Sequence, residues 1–499
     1  MCEAVVGIDF GSSGTGYAYS FNNPEDIILG HFEDQGVDIK VPTEIILSQN
    51  FQILAFGEKC KKYISENQLT NGELYFQRIK MSLYNNKNMI KPQNDIPNYD
   101  LDVIIGKVLE FVKLEALKAL RGHRENFNEN NIKWVVTVPA IWNEKQKGIM
   151  IKASEKAGLI SKNNFYTKKS NFFALEPEAA SLYCSQDKAI DPNYIMAGKT
   201  YIICDLGGGT GDIVTHCKSI EGKISEKYQA IGGNYGSDEI DKEVFNQVIY
   251  KLFGYKDYNS LKLKNEEIGS PWMEESLYCE WINLQEEIQK KKKINENSKN
   301  KNFILNCQIF QDFTNDIGIE YLVEKYNNTC YTGWEITIQN AKHWILSLPN
   351  KIFFDLINRQ ALKITEEISK INQNVKNVES ILYVGGYCSN EILINNIKKK
   401  FKNIVHLKPS HPETAVVKGA VLFGINPNII KLRKAKYTIG FCTNSIWDES
   451  KHGLIGEKYF DKIDNAETAL IHLLKLAKIS QLMMRLFIIS ICWTLDIVV

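Results

Sequence analysis

The sequence carries almost no charge imbalance. A net charge of +1 over 499 residues gives no electrostatic reason to expect nucleic acid or an anionic membrane as a partner. Clustered thiols are missing too: the eleven cysteines are scattered, the nearest pair being Cys204 and Cys217, thirteen positions apart. With no CxxC and no Cys/His cluster, a zinc site is not expected. The opening MCEAVVGIDFG has no basic region followed by an apolar run, so the expectation is a cytoplasmic protein with reduced thiols. Long apolar runs are absent until Leu482 to Val499, and that stretch is broken by Arg485 and Asp496. It is marginal for a bilayer; a core strand pair cut short is preferred to a tail anchor, and no membrane partner is expected. The remaining composition, 44% hydrophobic and 24% charged, is that of an ordinary globular protein with a sizeable core. The length requires two or more domains, or lobes with subdomains.

One passage is written nearly twice, as GIDFGSSGTG from Gly7 to Gly16 and as ICDLGGGTGD from Ile203 to Asp212. Each copy is an apolar β-branched run, an aspartate at the strand end, and a Gly/Ser/Thr-rich turn able to fold around an anion. Each continues into a second strand, Tyr17 to Phe21 and Ile213 to Cys217. A single Gly-rich turn after a strand is often only a turn. Two copies about 200 residues apart, with the aspartate kept in register, point to two related lobes facing each other across a nucleotide.

Between the copies, the punctuated stretch from His31 to about Pro97 reads as an inserted small subdomain with a β-like run from Glu44 to Leu47. Helical spacing over Leu101 to Leu120 predicts an amphipathic helix, and Trp134 to Val138 a buried strand. A helix follows from about Glu144 to Ala157 with Gly158 as its stop. Further helices are predicted over Glu239 to Phe253, Glu275 to Ile294, Lys351 to Ile371, Asn390 to Phe401 and Thr414 to Phe423, with a strand over Ser380 to Val384. The polar run Asn295 to Asn302 reads as a surface loop. The order is that of mixed α/β lobes with right-handed crossovers.

A magnesium triphosphate needs backbone N–H donors, carboxylates that orient the metal's water shell, and groups that place the attacking water. Asp9 and Asp205, at strand ends, would hold hydrated magnesium; Ser12, Ser13 and Thr210 would add hydroxyls; Gly11, Gly207, Gly208 and Gly209 allow close backbone approach. Either aspartate alone would read as a turn or capping residue. Together they favour the functional reading.

GIDFGSSGTG, VVTVPAIWNEKQ, LEPEAA, DLGGGTGD, GGNYGSDEID and ILYVGGYCSNE, in this order, resemble the actin-like ATPase domain of the 70 kDa heat shock protein family, and most of all its divergent branch typified by heat shock 70 kDa protein 12. KMSLY after Lys80 and RKAKYTIG near Lys434 resemble that branch too. The resemblance covers Val5 to about Gly440 and implies an α/β, two-lobed actin-like ATPase fold: duplicated ribonuclease H-like lobes with inserted subdomains, followed by a short, truncated C-terminal β remnant. The expected organisation is lobe I at 1–196 (insert about 40–115), lobe II at 197–428 (insert about 234–350) and a short C-terminal segment at 429–499.

The resemblance also assigns roles. Glu176, in LEPEAA, matches a carboxylate that helps position water and magnesium, although a first-turn carboxylate also suits the helix dipole. Lys80 matches the lysine that reaches the cleaved phosphate; a surface lysine is the alternative. Glu287, Lys290 and Lys291 resemble the family's adenosine-binding E-x-x-K-R, though a solvated helix face would read the same way. Gly385 and Gly386 match the adenine-side turn, and Gly232, Gly233 and Gly236 the loop that closes on the phosphate. ATP or ADP with Mg2+ are the implied cofactors, and protein clients or co-chaperones, unidentified, the implied partners.

The match also fails in places. Ser12-Ser13 replaces a threonine pair, Gly14 and Gly16 are extra glycines, and Gly211 replaces a bulky residue, which puts the hydrolysis rate in question. The acidic-leucine linker is absent, and Ile429 to Tyr437 is basic. The leading expectation is an ATP-binding, slowly hydrolysing chaperone-like protein. A nucleotide-gated scaffold without turnover and a small-molecule kinase on the same superfold are the alternatives.

Overall fold

In the run Ala4–Phe10 all seven residues are buried, which an alternating strand could not satisfy and a strand covered on both faces can. It lies inside a six-stranded sheet whose order is Phe173–Leu175, Ile132–Val138, Ala4–Phe10, Gly14–Ser20, Ile28–Leu29, with Val41–Pro42 also pairing to Gly14–Ser20. A computed structural model defines this architecture. It describes residues 2–434 apart from 37–38, 68, 70–71, 86, 93–97, 125–126, 162–163, 165, 168–171, 270–271, 273, 315 and 331–332; beyond 434 it describes only Thr443–Asn444 and Thr468–Ala469. The apolar stretch from Leu482 and most of the expected C-terminal segment lie outside the described residues.

A second six-stranded sheet repeats the first: Val405–Leu407, Val378–Val384, Thr200–Leu206, Gly211–Lys218, Ile224–Gly233, Ile430–Leu432. In both sheets a strand ending in aspartate turns back as an antiparallel hairpin and is flanked on its other side by parallel strands. In the first hairpin Asp9 faces Gly16 across the ladder; in the second Asp205 faces Asp212.

The helix Ala415–Ile425 joins the two halves. An added Cβ at Gly419 would stand 1.7 Å from Ala179 O, and one at Gly7 would stand 2.9 Å from Ala420 Cβ. Glycine thus lets this helix lie against both the helix Glu176–Cys184 and the first sheet. The strands Ile45–Leu47, Ile53–Phe56 and Leu74–Phe76 form a small separate sheet after the first hairpin.

The predicted helices are present with small shifts. Leu101–His123 runs one turn further than its apolar spacing indicated, and Glu144–Lys156 starts on a capping box between Asn143 and Gln146 and ends before Gly158 at φ +68°. The expected helix over 239–253 contains one wider turn at Phe245–Ile249. The polar run at 295–302 is largely exposed, and the strand Asn302–Asn306 begins at its end.

Candidate nucleotide site between the two hairpins

The first hairpin's turn is tight: a Cβ on Gly11 would stand 2.1 Å from Gly14 O. The segment around Val41 straps it. Val41 pairs with Thr15, Thr43 Oγ1 donates to Gly11 O at 2.8 Å, and the Thr15 and Thr43 hydroxyls are 2.8 Å apart. The second turn closes when Gly207 N donates to Thr210 O at 3.0 Å.

The two tips meet. A Cβ on Gly208 would overlap Ser13 Oγ at 1.6 Å, and one on Gly209 would stand 2.7 Å from Ser12 Cβ and 2.5 Å from Met81 Sδ. Ser13 Oγ donates to the Asp238 carboxylate at 3.1 and 3.2 Å. Asp238 N in turn donates to Gly208 O at 2.8 Å, and Gly236 is so close to Gly208 that a Cβ there would stand 2.0 Å from its carbonyl oxygen. Gly232 and Gly233 continue the same wall: their added Cβ atoms would meet Asp212 Oδ1 at 2.6 Å and the Tyr235 ring at 2.9 Å. Gly211 is similarly hemmed in by Leu206 and Tyr235.

Beneath the tips lies a buried cluster of charge. Asp9 accepts from Thr137 Oγ1 at 3.0 Å and from Lys40 Nζ at 2.5 Å. Glu176, at the start of Glu176–Cys184, accepts from Lys80 Nζ at 2.5 Å. Lys80 is carried by the short helix Ile79–Tyr84, and its ammonium is 5.6 Å from the centre of the Trp142 ring. Asp212 accepts from Ala140 N at 2.6 Å, which ties the second hairpin to the loop after Ile132–Val138. Gly385, at φ +87°, lets its turn press against Asp205: a Cβ there would stand 2.4 Å from Leu206 O and 2.7 Å from Asp205 Oδ1. Gly386 beside it faces open space.

The electrostatics follow from this crowding. Burial, then the carboxylates of Glu176, Asp212 and Asp9, push the Asp205 carboxyl well above its ordinary range. Burial also raises Glu176, with Lys80 opposing and Asp9 adding to the rise. At Asp9 burial acts upward as well, but Lys40 and Lys80 outweigh it and hold the carboxyl low. Four carboxylates, Asp9, Asp205, Asp212 and Glu176, thus crowd around the two ammonium groups of Lys40 and Lys80, and a bound cation would favour their ionised forms. Among the described residues no three His, Cys, Asp or Glu side chains are grouped to chelate a metal directly. Asp9 and Asp205, two buried carboxylates at strand ends, are the residues that could hold a divalent ion through its water shell.

Glu287, Lys290 and Lys291 lie at the end of Glu274–Lys291. Glu287 accepts from Asn306 N at 3.4 Å, Lys290 is exposed and pairs with Glu286 at 3.3 Å, and Lys291 is half-buried. The next residue turns inward: Lys292 Nζ donates to Asp241 Oδ2 at 2.6 Å and to Ser237 O at 3.3 Å, beside the Gly236 loop.

Sequence reasoning passed over Lys40, Thr137, Asp212, Asp238 and Lys292 as site residues. Asp212 and Thr137 stand within motifs already singled out, DLGGGTGD and VVTVPA. Lys40 left a fainter signal in Gly14 and Gly16, the glycines that make room for its segment: a Cβ on Gly16 would stand 3.0 Å from Lys40 Cγ.

Two sheets of matching order, each ending a strand in a buried aspartate beside a Gly-rich turn, define a mixed α/β protein built around a duplicated Gly-rich hairpin. Whole-chain comparison places it further. The chain is 27% identical over 522 residues to heat shock 70 kDa protein 12A of Homo sapiens, covering 90% of this chain and 73% of that protein. It is 24% identical to heat shock 70 kDa protein 12B of Homo sapiens (88% and 71% covered) and 22% identical to chaperone protein DnaK of Carsonella ruddii (strain PV) (88% and 66% covered). No protein-family model matches the chain. The chain is thus similar to 70 kDa heat shock proteins, at higher identity to heat shock 70 kDa proteins 12A and 12B than to DnaK, as its ordered motifs indicated. Among the described residues no helix is long and apolar enough to cross a membrane.

Proposed function

We propose that the chain is an ATP-binding, chaperone-like protein of the cytoplasm with a two-lobed actin-like ATPase fold, whose lobes close around magnesium ATP and hydrolyse it slowly. The observation that carries this reading is the meeting of two equivalent Gly/Ser hairpins, at Ser13 and Gly208, above the buried cluster Asp9, Asp205, Glu176 and Lys80. Backbone N–H groups of Gly11 to Ser13 and Gly208 to Thr210 would grip the phosphates. Lys80 would release Glu176 to reach the γ-phosphate, leaving the Glu176 carboxylate to orient the attacking water. Magnesium, held through water by Asp9 and Asp205, would supply charge neutralisation on the phosphate oxygens. Gly385, Gly386 and the helix end carrying Glu287, Lys290, Lys291 and Lys292 would border the adenosine.

A second reading, a nucleotide-gated scaffold without turnover, is favoured by Glu176 being bonded to Lys80 and Asp9 to Lys40, which occupies both carboxylates. Single-turnover hydrolysis of ATP by the full chain, with Glu176→Ala beside it, separates the two. Hydrolysis lost in the variant establishes the ATPase; tight binding without turnover in either protein establishes the scaffold. ADP formation only in the presence of a hydroxylated acceptor, with the γ-phosphate carried on that acceptor, would identify a kinase instead.

A further inference from the structure

Lys40 is the buried cation in the site that the ATPase reading leaves without a task. Its side chain is three-quarters buried at 26% exposed, with the ammonium 2.5 Å from Asp9 Oδ2 and within the field of Asp205 and Glu176. Lysine is rarely drawn inward like this unless paired. The backbone delivers it: Val41 pairs with Thr15, and Thr43 anchors to Gly11 O. The first hairpin is also shaped around it. A Cβ on Gly16 would stand 3.0 Å from Lys40 Cγ and 3.0 Å from Ile39 O; one on Gly14 would stand 3.3 Å from Val41 O and 3.5 Å from Lys40 Cβ. Glycine at both positions therefore leaves room for the lysine segment.

We propose that Lys40 is a resident counter-cation at the phosphate end of the site, so that a nucleoside triphosphate is held between Lys40 and Lys80 with little dependence on a divalent metal. The inference rests on the nucleotide-binding reading above. An ammonium carries three N–H donors, and the bond to Asp9 uses one of them. The others can donate to a phosphate oxygen, and the fixed positive charge neutralises Asp9 as a hydrated ion would. A metal reaching Asp9 through water meets an oxygen that already accepts from Lys40. The site then works with the ion but does not require it to bind nucleotide.

The test is the affinity of the full chain for ATP, read by displacement of a fluorescent ATP analogue, in magnesium and in excess EDTA. Wild type is expected to weaken by no more than about tenfold in EDTA, whereas Lys40→Met should bind in magnesium and weaken more than about a hundredfold in EDTA. Wild-type binding that collapses by a hundredfold or so in EDTA overturns the proposal, as does a folded Lys40→Met that matches wild type in EDTA. Thermal unfolding of the variant reports whether it is folded, and the wild-type pair of measurements decides by itself if it is not. Binding by wild type in magnesium alone removes only the role of Lys40; no binding in either buffer removes the nucleotide reading and this proposal together.

Discussion

Lys80 and Glu176, 96 positions apart in sequence, form a buried ion pair, with Lys80 Nζ 2.5 Å from Glu176 Oε1. Removing Lys80 would leave Glu176 as an uncompensated carboxylate beside Asp9 and Asp205, whereas removing Glu176 leaves Lys80 still facing Asp9. In the proposed mechanism this pair must part for turnover. In magnesium, Glu176→Gln and Lys80→Met should each lower single-turnover hydrolysis by about a hundredfold or more while changing ATP affinity far less, the ion supplying the charge that Lys80 gives up. Rapid-quench assays beside equilibrium binding check this. Equal losses in both quantities would assign the pair to binding instead.

Asp205 sits where burial and three neighbouring carboxylates raise its proton affinity. Asp205→Asn relieves that repulsion and removes a contact to the metal's water shell. The folded protein is expected to be at least as stable as wild type, while magnesium-dependent turnover falls strongly. Thermal unfolding and phosphate release measured on the same preparation test the two halves of this statement. Unchanged turnover would remove Asp205 from the site.

Gly385 has a backbone that only glycine adopts freely, with φ +87°. Gly385→Ala adds both backbone strain at φ +87°, ψ +160°, about 1–3 kcal/mol, and a clash with Leu206 O and Asp205. Denaturant unfolding should show a loss of at least that size. Gly386→Ala, facing open space, should leave stability within about 0.5 kcal/mol of wild type after its own conformational effects are allowed for.

His216 is fully buried against the Tyr201 ring and within the field of Glu178 and Arg433, and among the described residues its Nδ1 has no hydrogen-bond partner. Burial, opposed by Glu178 and aided by Arg433, lowers its pKa to about 4. The unfolded chain therefore binds a proton below about pH 6.5 that the folded chain refuses until about pH 4. The stability associated with neutral His216 is complete above the unfolded value and is lost as pH falls from there toward 4, on the order of 3 kcal/mol in total. His216→Leu should flatten that part of the profile. Urea unfolding at pH 7 and pH 5 on both proteins checks it, and parallel losses on acidification would contradict it.

Arg433 clamps the chain just after the strand Ile430–Leu432 by a two-pronged bond to Glu178, at 2.6 and 2.7 Å. Glu178 is buried two residues beyond Glu176. Arg433→Ala should cost about 3 kcal/mol or more, because it strands a buried carboxylate, and Glu178→Gln in the same chain should recover part of that loss. Chemical denaturation of the single and double variants measures both.

Much of this arrangement was legible because it is local. Strands ending in Asp9 and Asp205, their glycine turns, and the helices with clear 3.6-residue spacing are set by neighbouring residues. The missing parts are set by chain pairing over long separations. Lys40 enters only because Val41 pairs with Thr15, and Asp238 meets Ser13 across 225 positions. Lys292 shows the limit of motif spacing: the helix ends at Lys291, and the residue just past it, not the pattern E-x-x-K-K itself, turns toward Asp241. The two extra glycines were visible as departures in the sequence, but their reason is a lysine stem some 24 residues away from Gly16, which no local rule reports.

The central claim is that the hairpins and the Gly385 turn enclose a nucleotide. Equilibrium binding of ATP to the full chain in magnesium, compared with Gly385→Val, tests it most directly. The account predicts saturable binding by wild type and its loss in a variant that remains folded by thermal unfolding. No binding by wild type, or equal binding by a folded Gly385→Val, would contradict it.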